Sequence, residues 1–180
     1  MSTYTVATIP RLSSASLSET LLAHASTNSA NKPSNLAIVD VRDSDHIGGH
    51  IKHSTHVPSQ TLGTRIPELV RKLQDKKIVV FHCALSQQRG PSAALRYLRE
   101  RERLLGAGKE TVGGVLKKNS ADKGRDGEDV EGEWEDVEVE KEQKVYVLER
   151  GFVGWQEEYA EDERLTEGYR KEIWEDGYWM

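Results

Sequence analysis

The chain has 180 residues, enough for one α/β domain, and its hydrophobic content of 36% is lean because a long polar stretch dilutes it. A net charge of -5 argues against nonspecific nucleic-acid binding, and no stretch approaches the ~18 apolar residues that a membrane span needs. The N-terminus lacks the basic start and apolar core of a signal peptide and there is one cysteine, so the expectation is a monomer of the cytoplasm or nucleus with no nucleic-acid or membrane partner.

Thr5 to Ile9 reads as an edge strand, and Ser14 to Leu22 as a short helix opened by a serine N-cap. After a polar loop from Ser26 to Asn35, Leu36 to Val41 is apolar enough for a central parallel strand. A histidine-rich turn leads to a short strand near His56-Val57. Thr64 to Gln74 is predicted helical, with Ile66, Leu69, Val70 and Leu73 on one face. The run Ile78 to Phe81 is a buried strand, and a helix follows from Pro91 to about Leu105, with proline in its first turn where the missing N–H costs nothing. Gly106-Ala107-Gly108 is expected to end that helix.

From there to residue 143 the pattern breaks down, and carboxylates dominate from Asp126 to Glu142. Residues 106–143 are read as a mobile acidic surface insertion, too poor in apolar groups to offset its ordering entropy, with Trp134 and Val137 as conceivable partner anchors. Lys144 to Leu148 supplies the last core strand. Leu165 to Trp174 is predicted helical, with Tyr169, Ile173 and Trp174 on one face, and the aromatic close Gly177 to Met180 is expected to pack against the domain. Strands alternating with helices imply an α/β fold, a central and mostly parallel sheet with helices on both faces, in a single domain over residues 1–180.

The segment HCALSQQRGP, His82 to Pro91, carries the chemistry. The only cysteine, Cys83, stands between the buried strand and a loop that runs through Ala84, Leu85, Ser86, Gln87 and Gln88 to Arg89, where the helix begins. Backbone N–H groups of such a loop converge into a nest at the positive end of the helix, and a nest of this kind takes a tetrahedral dianion. The same field favours a thiolate. Arg89 adds a bidentate fork that lysine cannot reproduce, so Cys83 is assigned as nucleophile and Arg89 as oxyanion clamp.

HCALSQQRGPSAA, together with IVDVRDSDHIGGHIKHSTHVPS from Ile38 to Ser59 and LERGFVGW from Leu148 to Trp155, resembles the rhodanese-fold phosphatases of the cell-division-cycle-25 (M-phase inducer) type. The likeness is greatest to their small fungal and plant relatives, which include arsenate reductases. It implies a rhodanese-like domain and a cysteine-dependent phosphatase acting on a phosphorylated protein or a small aryl phosphate through a thiophosphate intermediate. Sulfur-transferring rhodaneses carry a loop one residue shorter, so thiosulfate sulfur transfer fits less well, as does a non-catalytic phosphate-binding module.

Two departures from the larger relatives matter. Their glutamates after the cysteine and before the arginine are replaced by Ala84 and Gln88, which leaves Asp43, Asp45 or the substrate monoanion to supply the leaving-group proton. Their spare cysteine is absent from Asp40-Val41-Arg42, so no internal disulfide can trap an oxidised Cys83. No cofactor is expected, except an external thiol such as glutathione if the chain reduces arsenate. Asp40 and His82 are read as supporting residues. Because no thiolate or carboxylate pattern completes a zinc site, His46, His50, His53 and His56 are read as loop and strand-edge residues rather than a metal site.

Overall fold

The β-branched runs of this sequence form a five-stranded sheet in the computed structural model, which describes residues 4–28, 31–116 and 142–177. In chain order the elements are β1 (Arg11–Leu12), α1 (Ser14–Asn28), β2 (Leu36–Asp40), β3 (His50–Ile51), β4 (Thr55–His56), α2 (Ser59–Leu73), β5 (Ile78–His82), α3 (Arg89–Leu116), β6 (Lys144–Leu148), α4 (Gly151–Tyr159), β7 (Thr166–Glu167) and α5 (Lys171–Trp174). The main sheet runs β1-β6-β5-β2-β4 with every pairing parallel, and β3 with β7 forms a separate antiparallel ribbon.

Side chains alternate across the sheet and bury both of its faces. Val39, Val79, Phe81 and Val147 join Leu62, Ile66 and Val70 of α2 and Ala94 and Tyr97 of α3 in one core. Ile38, Val80 and Leu148 face the other way, against Leu17 and Leu21 of α1 and Phe152 and Trp155 of α4. The α/β architecture anticipated from the sequence, a central parallel sheet with helices on both faces, is therefore present. None of the helices among the described residues is long and apolar enough to cross a membrane.

Several expected elements differ. Thr5–Ile9 is not a strand: Val6–Thr8 forms a 3-10 turn closed by reciprocal bonds between Thr5 and Thr8, and the edge strand is Arg11–Leu12, just past Pro10. Helix α1 continues to Asn28, and α2 starts at Ser59 and accommodates Pro67. Gly106-Ala107-Gly108 does not stop α3, which reaches Leu116; a glycine in a helix interior costs only ~1 kcal/mol. Residues 106–116 of the expected insertion belong to this helix, and residues 117–141, with Trp134 and Val137, lie outside the described residues.

The predicted helix over Leu165–Trp174 is mostly absent. Thr166 and Glu167 pair with β3, Gly168 turns the chain at φ 65, and only Lys171–Trp174 is helical. Thr166 is held extended because its hydroxyl accepts from Trp155 Nε1 at 2.9 Å and donates to the Tyr159 carbonyl at 2.7 Å. Trp174 packs on Phe152 with ring centroids 5.6 Å apart and donates to the Gly48 carbonyl at 2.9 Å. Of the aromatic close, residues 178–180 lie outside the described residues.

Gln143, read from sequence as the end of the insertion, is instead a buried connector. It accepts from the Tyr97 hydroxyl at 2.9 Å and donates to the carbonyls of Leu73 and Lys76 at 2.7 Å each, tying α3 and the end of α2 to the start of β6. Gln143→Ala is expected to lower the unfolding free energy by about 2–3 kcal/mol, because three partners lose a buried bond. Urea denaturation checks this, and a change below about 0.5 kcal/mol would contradict it.

Candidate functional site

Asp40 at the end of β2 lies in register with His82 at the end of β5, so Cys83 emerges at the carboxyl edge of the two central neighbours. Residues 83–88 then form an irregular loop, and Arg89 opens α3. Ser86 adopts φ 54, and its N–H donates to Cys83 Sγ at 3.2 Å. Among the described residues, the N–H groups of Ala84, Leu85, Gln87, Gln88 and Arg89 donate to no protein acceptor. They are the backbone donors of this loop that remain available to a ligand.

Three of the loop's carbonyls, in contrast, are held by α4 and β1. Phe152 N–H donates to the Cys83 carbonyl and Val153 N–H to the Ala84 carbonyl, each at 2.9 Å, so the first turn of α4 grips the entrance of the loop. Such an approach needs Gly151, at φ 56, where a Cβ would collide with both of those carbonyl oxygens. Arg11 on β1 donates from Nη1 to the Ser86 carbonyl at 2.9 Å. Neither contact was legible from spacing, since Arg11 and Gly151 lie far from the loop in the chain; the GFVGW segment marked only a family motif.

Arg89 is oriented by two carboxylates. Its Nη1 and Nη2 fork onto Asp45 at 2.7 and 2.5 Å, and Nη1 also reaches Asp43 at 3.2 Å. The Asp45 hydrogen bonds hold the guanidinium firmly protonated against the opposing effect of burial. This leaves Nε–H and the second Nη2 hydrogen, on one edge of the plane, for two oxygens of a bound anion. Burial would raise the Asp43 carboxyl, but bonds from the Ser59 hydroxyl at 2.6 Å, Gln60 N–H at 3.2 Å and Arg89 hold it below the ordinary value. Both aspartates are thus engaged with Arg89.

Asp40 and Arg42 lie fully buried behind the loop. Arg42 pairs through Nε and Nη2 with both Asp40 oxygens at 2.7–3.1 Å, donates to the Gly49 carbonyl at 2.9 Å, and lies 4.2 Å from the centre of the Phe152 ring. Burial by itself would raise the Asp40 carboxyl; the neighbouring His82 ring and the Arg42 fork overcome it and hold the pKa at about 2. His82 is fully buried, and desolvation pushes its pKa below the ordinary value. Its Nδ1 lies 3.2 Å from the Cys83 carbonyl, an oxygen that can only accept, which assigns the ring proton to Nδ1.

The histidines of the turn stack, His46 on His56 at 3.8 Å and His46 near His50 at 5.9 Å, while His56 Nε2 donates to the Arg42 carbonyl at 2.6 Å. His53 sits apart, at φ 64. Among the described residues no three His, Cys, Asp or Glu side chains come together as a metal would require.

Residues 22–115 match the family model of the rhodanese-like domain. The chain belongs to the rhodanese-like family. It is 32% identical over 148 residues to the CDC25-like phosphatase YCH1 of Saccharomyces cerevisiae, covering 76% of each protein. To arsenate reductase 2.2 of Oryza sativa subsp. japonica it is 37% identical over 122 residues, 67% of this chain and 69% of the relative. The solved structure of a yeast protein tyrosine phosphatase of the rhodanese family superposes with a TM-score of 0.61 at 30% identity, over 92% of this chain and 96% of that one. Relatives of these kinds support a cysteine-based phosphatase or arsenate reductase within the rhodanese-like family.

Gly151→Ala is expected to cost about 1–3 kcal/mol from its positive φ alone, and more from the collision with the loop. The melting temperature should fall by about 5 °C or more, with weaker binding of inorganic phosphate; an unchanged melt would show that α4 does not press on the loop. A second expectation concerns acid. Burial first, then Arg42 and the neighbouring imidazoles, hold His46 down to about 4 from an ordinary 6.5, against the pull of Asp40. The unfolded chain therefore takes up this proton at a higher pH than the folded chain, and stability falls as pH drops through that window. Asp40 keeps its contribution there, since its carboxylate is lost only between 3.8 and about 2. Thermal melts from pH 7 to about 4.5 should show the fall, and His46→Gln should make it shallower; an identical slope in the variant would contradict the assignment.

Proposed function

We propose that the protein is a cysteine-dependent phosphatase of the rhodanese fold that hydrolyses phosphate monoesters, with Cys83 as nucleophile and Arg89 as oxyanion clamp. One observation supports this reading: in the loop after Cys83, five backbone N–H donors have no protein acceptor among the described residues, and the sulfur itself receives the Ser86 N–H. Donors of that kind suit an anion with oxygens in several directions. Phosphotyrosine, phosphoserine or phosphothreonine in a protein, or a small aryl phosphate, are the candidate substrates.

In the first step the Cys83 thiolate attacks phosphorus in line, an S–P bond forms, and the P–O bond to the alcohol or phenol breaks. Equatorial oxygens lie on the loop amides and on the free edge of Arg89. Water then attacks the thiophosphate, releasing inorganic phosphate and restoring the thiolate. The leaving oxygen must take its proton from water or from the substrate monoanion, because Ala84 and Gln88 are neutral and Asp43 and Asp45 are committed to Arg89. Good leaving groups are favoured as a result.

Arsenate reduction is the second reading, supported by the 37% identity to the rice reductase. There Cys83 would form a thiolate–arsenate adduct, and glutathione would attack its sulfur, so that two thiols become a mixed disulfide as arsenate leaves as arsenite. With one cysteine in the chain, both the resolving thiol and the thiol that releases Cys83 must come from outside.

Turnover of p-nitrophenyl phosphate beside glutathione-dependent arsenate reduction separates the two. Under the first reading Cys83→Ser loses about 10³-fold or more of phosphatase activity and Arg89→Lys about 10²-fold. Phenyl phosphate should be turned over about 10²- to 10⁴-fold faster than an alkyl phosphate. Equal rates for the two esters would sink the missing-acid account, and full activity in Cys83→Ser would sink the phosphatase.

A further inference from the structure

We propose that Arg11, on the edge strand β1, is a positioning residue of the anion cradle. It lies outside residues 22–115, the part of the chain that matches the family model. Its Nη1 donates to the Ser86 carbonyl at 2.9 Å, and among the described residues this is the only hydrogen bond of its side chain. Ser86 is the loop residue with positive φ, and its N–H is already spent on Cys83 Sγ. Both ends of that residue are thus committed.

The consequence follows from the peptide plane. In a trans peptide the N–H of one residue points opposite to the carbonyl of the residue before it. A guanidinium holding the Ser86 carbonyl towards β1 therefore aims the Gln87 N–H the other way. The same relation makes the Phe152 and Val153 bonds aim the N–H groups of Ala84 and Leu85 away from α4. Helix backbone does that for the first two peptides of the loop. For the Ser86–Gln87 peptide a side chain does it.

Without Arg11 this peptide is free to rotate about the bonds that flank it, and a half-turn would offer an anion a carbonyl oxygen in place of an N–H. The substitution is costly to binding because attraction becomes repulsion. An exposed arginine on a two-residue edge strand contributes little to folding, so its removal should act on the cradle more than on the fold.

This inference rests on the proposed reading only in that the loop receives an oxyanion. Calorimetric titration of inorganic phosphate into Cys83→Ser protein tests it without turnover. Adding Arg11→Ala should raise the phosphate Kd about tenfold with the melting temperature within a few degrees. Arg11→Lys, which can donate to the same carbonyl, should recover most of the affinity, and Arg11→Met, similar in bulk but without a donor, should not. A Kd within twofold of the Arg11 protein, or recovery by Met equal to that by Lys, overturns the assignment while leaving the phosphatase reading intact. Phosphatase activity absent from the wild type, with the Arg11 effect on phosphate preserved, overturns the function alone. No phosphate binding in the parent protein overturns both.

Discussion

The site depends on the carbonyl groups of one loop being drawn outward. A backbone segment carries as many acceptors as donors, and it becomes an anion cradle only when its acceptors are occupied elsewhere. Here the first turn of α4 takes the carbonyls of Cys83 and Ala84, and the carbonyl of Gln88 is taken by Ser92 inside α3. Gly151 is what permits the first of these grips, because any side chain at its φ of 56 would lie against the loop. The parallel order β6-β5-β2 then has a chemical purpose, since β6 delivers α4 beneath the loop that leaves β5.

Charge is arranged in two layers. In the buried layer both Asp40 oxygens pair with Arg42, whose Nη1 has no hydrogen-bond partner among the described residues and whose guanidinium lies over the Phe152 ring, so the layer joins Gly49, β2 and α4. Breaking such a pair strands a buried ion, so its role is structural. The outer layer is Arg89 with Asp43 and Asp45, about a third exposed at the guanidinium and weaker for that reason. Asp43 also receives Ser59 and Gln60 at the start of α2, so the clamp is fixed to a helix terminus as well as to its own. The carboxylates hold the far edge of Arg89 and leave the near edge to an anion.

The core and the loop were legible because both rest on local patterns. Leu36–Asp40, Ile78–His82 and Lys144–Leu148 are short apolar runs, and a cysteine and an arginine bounding a loop between strand and helix mark an anion nest. Elements whose conformation depends on distant partners were not legible. Tyr169, Ile173 and Trp174 have helical spacing, yet Thr166 is drawn into an extended ribbon by Trp155 and Tyr159, and Trp174 is drawn to Gly48. Gln143 adjoins a run of carboxylates and reads as loop, while its buried bonds run to residues up to 70 positions away. Asp43 and Asp45 lie 46 and 44 positions from Arg89, so their ion pairs with it were not visible in the sequence.

The groups that complete the cradle come from both sides of the segment shared with the family model. Residues 22–115 contain the proposed nucleophile Cys83, the proposed clamp Arg89 and the loop donors, but Arg11 precedes them and Phe152 and Val153 follow. Strand β1 pairs with β6, and α4 follows β6 directly, so these outer parts form one unit along the sheet edge. A displacement of β6 would move Arg11 and α4 together and disturb both supports of the loop. Under the proposed reading, oxyanion affinity in this protein is set by how firmly that edge is packed, as well as by the seven residues from Cys83 to Arg89.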